Sequence, residues 1–367
     1  MRVGKETYYM AAIYLAPFYL LVCVYILLRS LHWFQVLHTV FQNVWVCRGI
    51  GLVYLFVVFS ILIAFMAPAS GFRRFMKLLS NYWLGVLMYT LMTLGIADGL
   101  RLLLKYPLRN FAFPGRELLF SNMGTAVVGA VCAVIISTVS IYGVLSAGNI
   151  HTTKYNISVD KKAGSIKELN VVLVADLHLG YNIGCKQMEQ MTEKINEQKP
   201  DLVVVAGILR GIRSKYGVYA CYGNHDIQEK ILAGFTFGSK EKKESTPEMD
   251  EFLEKAGITL LRDEYVLIDD SFYLYGRPDY ERPGRGIDKR KTPQEITEGM
   301  DVSLPVLVID HEPRELQELA DTGVDVDLCG HTHDGQVFPG NIVIRFFWEN
   351  PCGYLKKGNM HNIVTSG

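Results

Sequence analysis

Four long apolar stretches within the first 150 residues constrain the fold of this chain more than any other feature. They cover roughly residues 8–28, 49–67, 82–104 and 123–147. A helix needs about 20 apolar residues to cross a bilayer, and each stretch is long enough. A signal peptide explains only the first stretch, whose apolar core is too long for that interpretation. The sequence therefore predicts an all-α, four-helix transmembrane module over residues 1–147.

Charge is distributed unevenly along the chain. Residues 1–150 hold 11 of the 37 lysine and arginine residues, but only three of the 37 acidic residues. Four spans put both termini on one side of the membrane, and that side carries eight lysine and arginine residues near the spans against five on the other. The positive-inside tendency then favours the cytoplasm by a narrow margin. We expect a multi-pass protein of the cell membrane, whose remaining residues lie on the side of the N-terminus.

The third apolar stretch contains two charged residues, Asp98 and Arg101. Residues three apart lie on one face of a helix, so these side chains are predicted to pair with each other. The alternative is a functional polar site within the membrane.

Five of the nine histidines lie in four short motifs of the second half. The motifs are Asp176-Leu177-His178, Gly223-Asn224-His225-Asp226, Asp310-His311-Glu312-Pro313 and Gly330-His331-Thr332-His333. Each follows a short run of β-branched and aliphatic residues, which is typical of a buried strand. The motifs are therefore predicted on loops at strand ends, where α/β sheets collect ligands and catalytic groups.

The spacing within the motifs suits a metal site. Residues separated by one position on an extended segment point to the same side, so Asp176 with His178, and His331 with His333, can each offer two donor atoms to one small volume. Imidazole, carboxylate and amide oxygen together suit zinc, manganese or iron. A single histidine is more often a hydrogen-bonded side chain than a ligand. Four strand-end motifs in one region favour the metal interpretation.

The order of these motifs resembles that of the calcineurin-like metallophosphoesterases. That family carries Asp-x-His, Gly-Asp, Gly-Asn-His-Asp/Glu, a single His and Gly-His-x-His. The resemblance covers residues 168–367, after a connector at residues 148–167 in which the run TTKYNISVD is predicted as a strand. It implies an α/β sandwich of two β-sheets flanked by helices.

The resemblance also implies a set of site residues and cofactors. Two divalent ions of manganese, iron or zinc are expected. One ion would be held by Asp176, His178 and His333, and the second by Asn224, His311 and His331. His225 would stand beside the pair as proton donor or phosphate contact.

The Gly-Asp element of the family is missing. Gly207 is followed by Ile208-Leu209-Arg210, and no carboxylate occurs between Asp201, which precedes a predicted strand, and Asp226. Gly207 and Gly223 are only 16 residues apart, where the family has a loop and a full helix. We infer an internal deletion of about 15 residues that removed the metal-bridging aspartate. The final residues resemble a late strand of the family, so the domain is also expected to be incomplete at its C-terminus. Either the gene product is degenerate, or the sequence is an incomplete version of a normal enzyme.

The expected function is metal-dependent hydrolysis of phosphate esters by a membrane-anchored site with two metal ions, impaired in this sequence. Without the bridging carboxylate the site is expected to retain a single ion. Phosphomonoesters, phosphodiesters, nucleotides and lipid-linked substrates all fit, and no signal for nucleic-acid binding is present. The alternative is a pseudoenzyme that serves as a membrane-tethered binding or regulatory module. A basic cluster at residues 282–291 is predicted as a solvated loop, or else as a contact for an anionic substrate or lipid headgroups.

Overall fold

The chain forms two compact units, the first made of Met1–His151 with Leu232–Ser239 and the second of Thr152–Ile231 with Lys240–Gly367. The computed structural model describes residues 3–68, 70–111, 114–176, 185–206, 211–224, 231–232, 235–236, 247–281, 283–284 and 287–366. Predictions that concern His178, His225 and the segment directly after Gly207 lie outside these residues.

The first unit is helical. Its helices are α1 (Val3–Leu37), α2 (Val44–Val58), α3 (Ser60–Met66), α4 (Gly71–Lys105), α5 (Arg116–Phe120) and α6 (Asn122–Ala147). The helical segments that are long and apolar enough to cross a bilayer are Leu15–Leu37 within α1, the whole of α4 and the whole of α6. Helices α2 and α3 meet at a bend of 47° and make a fourth span if they are counted together. These helices fit the predicted membrane anchor.

Polar side chains define where these helices begin. The side chain of Asn43 accepts a hydrogen bond from the backbone N–H of Trp45 at the start of α2. Ser70 and Ser121 cap α4 and α6 in the same way. Such caps satisfy N–H groups that have no partner within the helix. Helices α2, α4 and α6 therefore each start at a short polar residue.

Asp98 pairs with another helix, so the predicted pair with Arg101 is wrong. Its carboxylate lies 2.6 Å from Nη2 of Arg29 on α1 and accepts a 2.8 Å hydrogen bond from the hydroxyl of Tyr25. Arg101 instead donates to Oγ1 of Thr125 over 3.1 Å. The reason is that α1 brings the guanidinium of Arg29 and the hydroxyl of Tyr25 to the two oxygens of the Asp98 carboxylate. The pair thereby joins α1 to α4 within the apolar bundle.

The second unit combines strands with helices packed on their faces. The strands are β1 (Val171–Ala175), β2 (Leu202–Ala206), β3 (Val218–Ala220), β4 (Ile231–Leu232), β5 (Phe235–Thr236), β6 (Ile258–Leu260), β7 (Glu264–Ile268), β8 (Phe272–Arg277), β9 (Val306–Asp310), β10 (Val326–Cys329), β11 (Gly353–Lys357) and β12 (Met360–Val364). The helices are α7 (Cys185–Glu197), α8 (Pro247–Lys255), α9 (Pro293–Ile296), α10 (Leu316–Asp321) and α11 (Gly340–Val343). Of the strands, β4 and β5 form a separate two-stranded sheet, and β5 falls within the first unit.

The other strands form two sheets. The first has the order β1-β2-β3-β6 and is parallel throughout. The second has the order β11-β12-β10-β9-β8-β7, with a parallel centre and an antiparallel strand at each edge. The two sheets pack face to face, which confirms the predicted α/β sandwich.

Side chains that alternate along the strands build the core. Leu202 and Val204 of β2 lie between the two sheets with Leu307 of β9, whereas Val203 and Val205 face the cluster formed with α7 and α8. Successive residues of a strand point to opposite faces, so a continuous apolar run fills both layers. The strands predicted before the motifs are confirmed as β1, β2, β3, β9 and β10.

The segment before β1 packs without forming a strand. Residues 152–160, where a strand was predicted, have no strand assignment. Ile157 and Val159 nevertheless pack against the core between the sheets, and the carbonyl of Ser158 lies 3.1 Å from Nε2 of His361. The alternation of the segment reflects burial of one side.

The connection between β2 and β3 is short. These parallel strands are neighbours, and only residues 207–217 join them. The described part, residues 211–217, contains no helix. Ile212 packs into the cluster that also holds Met188 and Met191 of α7, and Asn196 of that helix accepts a 2.9 Å hydrogen bond from the N–H of Arg213. The connection therefore runs directly beside α7.

Candidate metal centre

The described motif residues gather at one edge of the sandwich. Asp176 follows β1, Asn224 lies beyond β3, His311 follows β9, and His331 follows β10. The carboxyl ends of parallel strands meet at the same edge, so these loops converge. Asp201 lies at the opposite edge as predicted, because it accepts a 2.9 Å hydrogen bond from the N–H of Asn170, which precedes β1.

The loops after β1 and β10 are in direct contact. The N–H of His331 donates to Oδ2 of Asp176. A Cβ atom at position 330 would lie 2.4 Å from Cβ of Ala175 and 2.5 Å from Oδ2 of Asp176, so the motif requires glycine there. Non-glycine residues with positive φ cluster in this region, among them His331 (φ 75°) and His333 (φ 50°). Such backbone strain is characteristic of functional sites.

Nε2 of His311 is the centre of the site. It lies 3.0 Å from Nδ1 of His331 and 3.2 Å from Oδ1 of Asn224. His311 is a buried residue. The structure thus brings together the three residues expected to hold the second metal ion.

These three residues fit a metal ion. Ligand atoms about 2.1 Å from a tetrahedral ion lie about 3.4 Å from one another, and the measured separations of 3.0 and 3.2 Å are close to this value. Two imidazole nitrogens with an amide oxygen suit zinc, manganese or iron. Burial lowers the pKa of His331, against the opposing effect of Glu312 and Asp176. The neutral imidazole, which is the form that binds metals, is therefore favoured.

The other expected metal set is only partly described. Asp176 lies at the site, as above. Nδ1 of His333 lies 3.2 Å from the carbonyl oxygen of Ser366. His178, the third member, lies outside the described residues, as does His225.

A buried charge network holds the His311 loop in place. Asp310 accepts hydrogen bonds from Nη1 of Arg277 over 2.9 Å and from Nη1 of Arg290 over 3.0 Å, and Glu315 contacts both guanidinium groups. Burial alone would lower the pKa of Arg277, but the two carboxylates raise it above its ordinary value. Arg277 therefore stays charged, and the hydrogen bonds of Arg277 and Arg290 to Asp310 fix the backbone next to His311. Arg290 is buried, so the predicted solvated loop is wrong at this position.

One residue near the centre belongs to none of the sequence motifs. Oδ2 of Asp279 lies 3.8 Å from Nε2 of His311, and the side chain is almost fully buried. The sequence feature that could have identified Asp279 is its position shortly after β8. That strand is parallel to β9, so its carboxyl end reaches the same edge of the sheet.

Comparison with known proteins agrees with this geometry. Residues 169–335 match the family described as calcineurin-like phosphoesterase. The chain is 27% identical over 266 residues to a Danio rerio "transmembrane protein with metallophosphoesterase domain", covering 64% of this chain and 56% of that protein. It is 28% identical over 236 residues to the Bos taurus protein of the same description, covering 57% and 51%.

A third similar protein has a more specific description. The UDP-2,3-diacylglucosamine pyrophosphatase LpxG of Chlamydia trachomatis is 21% identical over 237 residues, covering 51% of this chain and 70% of that protein. The chain spans about half the length of the Danio rerio and Bos taurus relatives. No solved structure matches the chain significantly. Residues 169–335 thus match a calcineurin-like phosphoesterase domain, and they follow apolar helices that fit a membrane anchor.

Proposed function

We propose that the second unit is a metal-dependent phosphoesterase, tethered to a membrane by the first unit. The observation that carries this proposal is the convergence of Asn224 and His331 on Nε2 of His311, at separations that suit ligands of one ion. The family match supports a phosphoric ester hydrolase.

Each residue of the candidate site has its own role in this proposal. Asn224, His311 and His331 hold one divalent ion, and Asp176 and His333 contribute to a second site with His178. When bound, such ions activate water and neutralise charge on the phosphate. His225 donates a proton to the leaving oxygen. The paired charges of Arg277, Asp310 and Arg290 keep His311 in its ligating orientation.

Lipid-linked phosphate esters are the substrate class that we propose. Two facts support this choice: the apolar helices fit a membrane anchor, and LpxG, by its description, acts on a diacylated nucleotide sugar. A site anchored to a membrane lies close to substrates that are embedded in the same membrane. Soluble phosphomonoesters and phosphodiesters remain useful as chromogenic reporters of the same chemistry.

We propose further that the activity of this exact sequence is low, because the metal-bridging carboxylate was lost in an internal deletion. The short β2–β3 connection supports this proposal. Crossovers between parallel strands usually take a dozen or more residues and include a helix, whereas residues 211–217 run without one. The same observation favours a second candidate function: a pseudoenzyme that binds a phosphorylated ligand through the remaining metal site without hydrolysing it.

Hydrolysis of a chromogenic phosphodiester by the detergent-solubilised full chain distinguishes these functions. We expect turnover to be very low as the sequence stands, and to rise by ~10³ or more when a Gly-Asp loop and helix are inserted after Gly207. In that restored protein, His331→Ala should abolish turnover. His361→Ala is the matched control, because this buried histidine contacts Tyr354 and Ser158 away from the site. No turnover after restoration would favour the pseudoenzyme.

A further inference from the structure

Asp279 has the position of a metal ligand although no histidine motif includes it. The ligand atoms of Asp279, His311 and His331 all lie within 4.8 Å of one another. The carboxylate is 5% exposed and the His311 side chain 3%, so the pair is shielded from bulk water. A buried carboxylate is destabilising unless it is paired with charge or hydrogen-bond donors.

The carboxylate of Asp279 is oriented by its surroundings. Oδ1 accepts a 3.1 Å hydrogen bond from the N–H of Glu281, and the N–H of Asp279 donates to the carbonyl of Tyr222 over 3.1 Å. Arg290 fixes the preceding residue by donating to the carbonyl of Pro278 over 3.1 Å. These contacts hold Asp279 so that Oδ2 is the oxygen nearest to His311.

Three side-chain atoms converge on one nitrogen. Nε2 of His311 lies 3.0 Å from His331 Nδ1, 3.2 Å from Asn224 Oδ1 and 3.8 Å from Asp279 Oδ2. A ring nitrogen carries either one hydrogen or one lone pair, so it cannot form good hydrogen bonds to all three. A cation placed among the four atoms can be coordinated by all of them at once. Two imidazoles, one carboxylate and one amide oxygen are a set that zinc, manganese or iron accepts.

We propose that Asp279 is the carboxylate ligand of the metal ion held by His311 and His331, and that it supplies there the negative charge that the segment after Gly207 lacks. The inference rests on the proposed function, which requires a metal ion at these two histidines. It adds that this second site, rather than the Asp176 site, retains the single ion expected in the sequence as it stands.

Cobalt binding to the metal-stripped, detergent-solubilised full chain tests the proposal. We expect Asp279→Asn to weaken Co²⁺ binding at least about tenfold, the loss that even outer partners of metal ligands produce. Asp263→Asn is the matched control. That carboxylate is also buried, but it accepts from the hydroxyl of Tyr275 and the N–H of Lys291 instead. Its substitution should leave the Co²⁺ affinity unchanged.

Asp279→Cys gives a signal that loss of folding cannot imitate. A thiolate bound to Co²⁺ produces a sulfur-to-metal charge-transfer band, and thiolates are good ligands for such ions. We expect this band in the difference spectrum of Asp279→Cys against the unsubstituted chain, which corrects for the native cysteines. Asp263→Cys should not produce it.

The outcomes separate this inference from the function on which it rests. Unchanged Co²⁺ affinity in Asp279→Asn, with loss of binding in His331→Ala, would overturn the role of Asp279 and keep the metal centre. Absence of the charge-transfer band in Asp279→Cys would do the same. If the unsubstituted chain bound no Co²⁺, both the inference and the proposed function would fail.

Discussion

Replacing Asp310 by asparagine tests whether buried charge holds the His311 loop. Asp310 is 1% exposed and Arg277 0%, so the substitution leaves two buried guanidinium groups without their central carboxylate. Breaking a buried ion pair from one side costs about 3–5 kcal/mol. Glu315 still contacts both arginines, and Arg290 keeps its bond to the carbonyl of Pro278. We therefore expect the lower end of that range, about 3 kcal/mol.

Differential scanning calorimetry of the detergent-solubilised chain measures this loss. For a unit of this size, about 3 kcal/mol corresponds to a decrease in Tm of about 6–12 °C. The control is Asp301→Asn, because Asp301 is exposed and its carboxylate accepts a 3.0 Å hydrogen bond from the N–H of Ser303 at the surface. Its effect should stay below about 0.5 kcal/mol. A decrease for Asp310→Asn no larger than that of the control would refute the reasoning.

Three further predictions concern both units. Burial raises the pKa of Asp327 to about 7, with the charge of Asp310 adding to the effect. The protonated carboxyl is therefore the form that suits the folded chain: stability is complete below pH ~4, where the unfolded chain also keeps the proton, and is lost as pH rises through 7. Asp327→Asn should remove the corresponding decline in Tm between pH 4 and 8. In double-mutant cycles, Asp98 should couple to Arg29 by more than about 1 kcal/mol, and to Arg101 by less than about 0.5 kcal/mol. Reporters fused at residue 1 and near residue 240 should share accessibility if α2 and α3 form one span, whereas opposite accessibility would mean three spans.

The sandwich could be predicted from the sequence because its signals are local. Leu202 and Val203 are neighbours in one apolar run, and strand geometry places them in opposite layers of the core. Each motif follows such a run. Pairings between distant elements could not be predicted in this way. Asp98 pairs with Arg29, 69 residues away, because α1 packs beside α4.

Residues of the candidate site could be predicted only where a sequence motif contained them. Asn224, His311 and His331 were identified by their motifs, and the structure brings them together. Asp279 approaches His311 across two strands of one sheet, and its sequence neighbours carry no metal-binding pattern. Burial of Arg290 likewise depends on a carboxylate 20 residues away in the chain.

Metal content tests the central claim most directly. The full chain, purified in detergent, loaded with Zn²⁺ or Mn²⁺ and dialysed, is analysed by mass spectrometry of the elements. The proposed function predicts about one tightly held equivalent in the unsubstituted chain, none in His331→Ala, and the unsubstituted amount in His361→Ala. Two equivalents in the unsubstituted chain would contradict the loss of the bridging carboxylate. No bound metal, or the same content in His331→Ala, would contradict the metal centre itself.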